Sequence, residues 1–362
     1  MDITALARPE ILDMQAYASA RSSMSADGIL LNANEAPGTL LDDPGFARLE
    51  LNRYPAPQPA ALVERLAGMY GIDPGRLLVT RGSDEGIDLL VRVFCRAGRD
   101  AIAECPPCFG MYRIAATIQG ADVISVPRLA EEGFRIDADA LTAAIQADDG
   151  IRIVFLTSPA NPTGDSIAPA VMERVLEACR DRCMLVLDEA YIEFSGQESA
   201  SGLVADNPQL VVLRTLSKAW AAAGLRCGSV IANPEVIDLL RRVMAPYPLT
   251  APAVDAALRV TDAGMAASQR EMITAILRRK GELVAFLEDQ PWVLDLWPGD
   301  ANFVLLRAED AEGLSGWCGE RNIRIRNFHG QPMLDNCVRL SIGSDEEMGA
   351  LTAALDAYGK AR

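Results

Sequence analysis

The sequence predicts a doubly wound α/β fold, a large and mostly parallel sheet flanked by helices, with a smaller α+β unit after it. Short aliphatic runs bounded by polar residues recur along the chain, and each reads as a strand buried on both faces. Helical patterns separate most of these runs, the alternation that builds parallel sheets. Three of the runs lead into a polar residue suited to chemistry, Asn161, Asp188 and Lys218 in that chain order. Open α/β sheets place ligand-binding groups at those carboxyl ends.

Taken in order, the first fifty residues read as irregular, with a short helix near Ala16 to Arg21 and a strand-to-loop segment, LNANEAPG, from Leu31. The spacing of Leu62, Val63, Leu66 and Ala67 predicts an amphipathic helix from Pro59 to Tyr70. Leu77 to Thr80 is a predicted strand, and Gly82-Ser83-Asp84-Glu85 opens a helix to about Phe94 with Ser83 as its candidate cap. Such a helix start offers free backbone amides, a seat for a phosphate. Further strands are expected at Ala101 to Ala103, Val123 to Ser125, Ile151 to Leu156, Leu185 to Leu187, Leu210 to Leu213 and Ser229 to Ile231. The pattern changes at Ala245, where APYPLTAP leads into one long helix from Asp255 to about Phe286, followed by strands near Phe303 and Arg339. No repeat or low-complexity tract interrupts the chain.

Composition narrows the function. Half of the 362 residues are hydrophobic, enough for a large core. A net charge of -16 with dispersed basic residues argues against a nucleic-acid surface, so any anionic substrate must be gripped locally. No run approaches the roughly 18 apolar residues of a membrane helix, and MDITALARPE lacks a signal-peptide pattern, so a cytoplasmic protein is expected. Eight cysteines include Cys105-Pro-Pro-Cys108, spaced like a redox or metal motif. Cys179 and Cys183 make a poor second pair and His329 is the one histidine, so reduced cysteines and no metal are expected.

The strand ends carry the chemistry. In LVVLRTLSKAWAAAGLRCG, Leu210 to Gly228, a buried strand delivers Lys218 beside alanine, tryptophan and glycine, where desolvation would free its amine. That suits covalent attachment of pyridoxal phosphate, although a surface lysine at a turn is the plainer reading of this stretch alone. In LVLDEAY, Leu185 to Tyr191, Asp188 could keep a pyridinium nitrogen protonated, and in VFLTSPANPTG, Val154 to Gly164, Asn161 could bind a ring oxygen. Singly, asparagine is more often a turn former and aspartate more often a strand-end cap; the three in this order are hard to attribute to chance.

SPANPTG, LVLDEAY and TLSKAWAAAGLRCG together resemble the fold type I pyridoxal-phosphate aminotransferases, and specifically the histidinol-phosphate aminotransferase family. LNANEAPG, NRYPAPQP from Asn52, RGSDEGIDLL from Arg81, CPPCFGMY from Cys105, APYPLTAP and CVRLSIG from Cys337 resemble stretches of that family in the same order. The resemblance implies a pyridoxal 5′-phosphate site in which Lys218 bonds the cofactor and moves protons, Asp188 holds the ring nitrogen, and Asn161 and Tyr191 bind the ring oxygen. It assigns stacking to Phe109, where part of the family has a tyrosine, and the phosphate to Ser83, Asp84, Ser217 and Arg226. Tyr54 would reach the neighbouring subunit's phosphate, which implies a homodimer with shared sites.

The same resemblance assigns substrate binding to Tyr17, Arg326 and Arg339, with histidinol phosphate and glutamate or 2-oxoglutarate as alternating substrates. The usual fate of a single arginine is a surface ion pair. The expected division is an N-terminal segment over 1–50 belonging to the small domain, a cofactor-binding domain over 51–245 and a C-terminal small domain over 246–362. An aromatic amino-acid aminotransferase and a threonine-phosphate decarboxylase are the competing readings.

Overall fold

The computed structural model describes residues 3–12 and 49–361. Its large sheet takes seven strands in the order β1 (Leu77–Thr80), β7 (Gly228–Ile231), β6 (Leu210–Thr215), β5 (Met184–Asp188), β4 (Ile151–Thr157), β2 (Ala101–Glu104) and β3 (Asp122–Ser125). Neighbours from β6 to β3 run parallel, and β7 runs antiparallel to both β6 and β1. Each strand predicted between Leu77 and Ile231 is present. The aliphatic runs do here what burial on two faces requires: Leu185 and Leu187 enter one core with Leu210 and Val212, while Met184 and Val186 enter the other with Val211 and Leu213. That two-residue alternation between two apolar layers fixes the register, because a one-residue slip would exchange every side chain between the layers.

Helices cover both faces, among them α1 (Ala60–Tyr70), α2 (Ser83–Phe94), α3 (Met111–Gln119), α4 (Ala138–Ala147), α5 (Pro169–Cys179) and α6 (Pro234–Val243). The chain leaves β2 for the edge strand β3 and returns to the other side of β2 with β4. The crevice at such a reversal is where open α/β sheets bind ligands. Residues 3–12 lie on the helical layer of this sheet: Ile3, Leu6 and Ile11 are buried in its core, Arg8 N donates to Val93 O at 2.9 Å, and Arg242 donates to Ile11 O at 3.0 Å. The described part of the N-terminal segment therefore belongs with the large sheet, against the expectation that it joins the small domain. The helix expected near residue 16, the LNANEAPG segment and Tyr17 lie outside the described residues.

The helix expected from Asp255 to Phe286 is two helices, α7 (Ala251–Val260) and α8 (Met265–Glu288). Thr250 caps the first, and Thr261 ends it by turning its buried hydroxyl back to Ala257 O at 2.7 Å. Asp262 then accepts from Gly264 N at 3.0 Å, a side-chain turn that competes with the helix. A second sheet follows, ordered β10 (Arg326–Asn327), β11 (Cys337–Ser341), β9 (Phe303–Ala308) and β8 (Val293–Trp297), all antiparallel. α8, α9 (Ala311–Glu320) and α10 (Asp345–Lys360) contribute Leu283, Leu314 and Leu355 to the core on one of its faces.

The two units meet tightly at the SPANPTG loop. Asp300 N donates to Gly164 O at 2.6 Å, and the buried Lys280 of α8 donates to the carbonyls of Gly299 and Ala301 at 2.7 and 2.8 Å. Gly299 has φ +56, and a Cβ placed on it would lie 2.5 Å from the Gly164 carbonyl group. Gly299→Ala should therefore cost about 1–3 kcal/mol through overpacking alone. It should lower the melting temperature measured by circular dichroism; an unchanged value would show that the joint is loose.

Candidate active site

The sheet delivers three consecutive strand ends to one cavity of about 290 Å³. β4 ends at Thr157, β5 at Asp188 and β6 at Thr215, and all three line it. Thr157 and Asp188 are Cα partners in the ladder, and Asp188 O accepts from Ser158 N at 3.0 Å, so the polar ends are held by the backbone bonds that hold the sheet. The cavity gathers Ser83, Asp84, Phe109, Asn161, Asp188, Tyr191, Ser217, Lys218, Arg226 and Arg339, nearly every residue expected of the site.

Asp188 sits at the floor. Its Oδ1 accepts from Ala190 N at 3.1 Å and its Oδ2 from the Tyr112 hydroxyl at 2.9 Å. Burial pushes the carboxyl up to about 6, and the Tyr112 bond is the chief opposing influence. Lys218 has its Nζ 5.5 Å from the centre of the Tyr191 ring. Burial, and then the positive charge of Arg339, lower its pKa, which favours the free amine. Burial pushes the Tyr191 phenol up to about 12.

At the other end, α2 starts at Ser83 with Gly82 as its N-cap and no side-chain cap. Ser83 thus opens the helix and does not cap it, which leaves the first-turn amides without a side-chain acceptor. Arg226 lies across this start, its Nη2 3.1 Å from Asp84 Oδ2. Glycine is required here: a Cβ on Gly228 would lie 2.6 Å from the Gly82 carbonyl carbon, so only glycine lets β7 run against the helix start. Ser217 shares its hydroxyl with Thr215 Oγ1 at 2.9 Å. Amides, hydroxyl and guanidinium together form a donor set for a phosphate.

The small unit supplies the roof. Arg339 of β11 donates to the Asn161 side-chain oxygen, lies over Phe303 with its guanidinium carbon 5.0 Å from the ring centre, and has an Nε without a partner among the described residues. Burial lowers its pKa, with Arg326 next to it adding to the effect. Arg326 is the Cα partner of Arg339 across the β10–β11 ladder and is exposed. It is not among the residues lining the cavity. Tyr54 is not either; it is 50% exposed and stacks on Tyr247 with ring centres 4.5 Å apart.

Sequence reasoning missed Tyr112, Thr157 and Arg128. Arg128 is buried, bridges Asp165 at 2.6 Å and donates to Cys105 O and Phe134 O, tying CPPCFGMY to the loop that carries Asn161. Nothing in the residues around Arg128 marks it apart from other arginines, whereas Tyr112 stands three residues after Phe109, one helical turn on. All eight cysteines are free, and burial pushes Cys105 up to about 12 and Cys108 higher still, which makes both unreactive. Among the described residues no helix is long and apolar enough to cross a membrane.

A family model for aminotransferase class I and II matches residues 27–355. The chain is 39% identical over 355 residues to the histidinol-phosphate aminotransferase of Escherichia coli strain 55989, an alignment covering 98% of each chain. Its fold is similar to that of the histidinol-phosphate aminotransferase from Clostridium acetobutylicum, with a TM-score of 0.78 and 22% identity over 86% of this chain and 92% of that one. It is likewise similar to the Sinorhizobium meliloti histidinol-phosphate aminotransferase solved in complex with pyridoxal-5′-phosphate, with a TM-score of 0.77 and 24% identity over 91% and 90%.

An unfolded aspartate titrates near 3.8 and the folded Asp188 near 6, so the folded chain holds the extra proton between those values and stability falls as pH rises through them. Above that window the buried charge costs the ligand-free protein at most about 3 kcal/mol. Asp188→Asn should thus raise the melting temperature of the ligand-free protein at pH 8 and lose that advantage at about pH 4, below the window. A variant less stable than the parent at pH 8 would refute the burial account.

Proposed function

The chain belongs to the class I and II aminotransferases and, within them, to the histidinol-phosphate aminotransferase family; from that premise we propose that it moves an amino group between L-histidinol phosphate and 2-oxoglutarate, in histidine biosynthesis, with pyridoxal 5′-phosphate as cofactor. The observation that carries the proposal is one cavity with a desolvated lysine, a buried carboxylate and a helix start without a side-chain cap under an arginine, roofed by a second arginine whose Nε has no partner among the described residues. That donor set fits the cofactor. Its ring nitrogen needs an acceptor, its phosphate needs donors, and its aldehyde needs an amine. When bound, it supplies a carbonyl that carries the amino group and a ring that accepts the electron pair released as the substrate carbon loses its proton.

Each residue then has a task. Asp188 accepts from the ring nitrogen and keeps it protonated. The first-turn amides of Ser83 and Asp84, the Ser217 hydroxyl and Arg226 hold the phosphate. Phe109 lies against the ring face. Tyr191 and Asn161 bind the ring oxygen, Asn161 through its amide nitrogen, since its oxygen is taken by Arg339. Lys218 is the general base, moving a proton between the substrate carbon and the C4′ of the cofactor. Its lowered pKa brings the neutral amine this demands within easier reach.

Arg339 and Arg326, with Tyr17, hold the anionic end of either substrate: the phosphate of histidinol phosphate, and a carboxylate of glutamate. One pocket serving both in turn makes the kinetics ping-pong. Tyr54 belongs at a partner's phosphate in a homodimer, a reading supported by its exposure and its absence from its own chain's cavity. Residues 51–245 act as the cofactor-binding domain and 246–362 as the small domain, in the cytoplasm.

Purified protein with added pyridoxal phosphate should show a near-visible absorption band that histidinol phosphate shifts at far lower concentration than phenylalanine does. Lys218→Ala should lose nearly all turnover. A shift with phenylalanine first would move the substrate to the aromatic amino acids, release of carbon dioxide without an oxo-acid acceptor would make it a decarboxylase, and no band at all would end the cofactor assignment.

A further inference from the structure

We propose that Tyr112 is a positioning residue for the proposed reaction: its phenol is built to hold Asp188 ionised and oriented toward the ring nitrogen of the cofactor. Tyr112 is the second residue of α3 and is completely buried. Its ring is clamped, stacked on Phe155 at 4.6 Å and 5° and set edge-on to Phe109 at 5.8 Å and 83°. The clamp leaves its hydroxyl one location, 2.7 Å from Thr157 Oγ1 and 2.9 Å from Asp188 Oδ2.

A phenol has one proton to give. Burial pushes the Tyr112 pKa well above its usual range, so that proton is kept at any working pH. Between a neutral hydroxyl and a carboxylate it goes to the carboxylate, the stronger acceptor. Thr157 must then donate to the phenol oxygen, and the bonds run in one direction, from Thr157 through Tyr112 to Asp188. The Ala190 amide holds the other carboxylate oxygen at 3.1 Å. Both oxygens of Asp188 thus carry one fixed donor each, and the carboxylate plane cannot turn away from the cavity.

Three other ionisable groups face Asp188. Asp84 at the start of α2 opposes its charge, Lys218 after β6 supports it, and Tyr191 is kept neutral by burial. Of these and the Ala190 amide, the bond from Tyr112 counters burial most. Removing it leaves a buried acceptor short of a donor and makes the charged form harder to hold.

Tyr112→Phe keeps the ring stack and deletes only the donor. The proposal rests on the cavity being a pyridoxal-phosphate site, so the readout is uptake of that cofactor by the cofactor-free protein, followed by absorbance across a pH series. The variant should bind about tenfold more weakly at neutral pH. The acid limb of binding should move up by about one pH unit, with affinity recovering at alkaline pH. Thr157→Val should shift the limb in the same direction by less. A parent that takes up no cofactor overturns both the site and this role. A parent that binds, with Y112F matching it in affinity and acid limb, overturns the role alone, even if Y112F melts earlier. Should Y112F not fold, T157V decides: a limb in the parent's position overturns the proposal.

Discussion

A negative charge at the end of a strand buried on both faces is the constraint from which the site is assembled. β5 is enclosed by β4 and β6 and by two apolar layers, and Asp188 is its last residue. Water cannot solvate the carboxylate there, so the protein supplies donors from segments that are themselves immobile: the next turn of its own chain through Ala190, and α3 through Tyr112. The aromatic column Phe155, Tyr112 and Phe109 follows from the need to fix that phenol. The charge also bears on Lys218, since it is among the influences that favour the protonated amine while burial and Arg339 favour the neutral one. Acid and base are set against each other across one cavity.

Most of this was readable in the sequence because it sits at strand ends. An apolar run followed by a polar residue marks both the strand and the group it delivers, so Asn161, Asp188 and Lys218 could be placed from pattern alone, and the resemblance extended them to Phe109, Arg226 and Arg339. What remained hidden depends on three-dimensional context. The cap of α2 fell to Gly82 and not Ser83, because the chain turns there at φ +77, a conformation that favours glycine, with the Arg226 guanidinium where a side chain would start. The break between α7 and α8 is made by Thr261 and Asp262 bonding to nearby backbone, and neither residue is a strong helix breaker by propensity. Arg326 and Arg339 both read as substrate cations; as ladder partners they share a face of the sheet, with Arg339 lining the cavity and Arg326 exposed beside it.

The joint between the two units touches the chemistry directly. The loop that presents Asn161 ends at Gly164, which Gly299 meets backbone to backbone, and Lys280 holds the facing loop by two carbonyls. Both acceptors are neutral carbonyls, so its grip is a pair of hydrogen bonds and not an ion pair, and burial lowers its pKa to about 8. Arg339 reaches from the small unit to the Asn161 amide. A displacement of one unit against the other would therefore move an arginine and an amide together.

The antiparallel strand has a consequence for the order in which the molecule can be assembled. β1 is hydrogen-bonded to β7 and to no other described strand, yet it leads directly into α2. During synthesis β1 emerges early and must wait for a partner roughly 150 residues further along, a long loop whose closure is entropically costly and slow. β7 lies between β1 and β6, and Arg226, two residues before it, lies across the start of α2. The anion seat thus rests on the strand pairing with the largest sequence separation in the large sheet, and the segment that brings Arg226 to the helix start is the one that closes that loop.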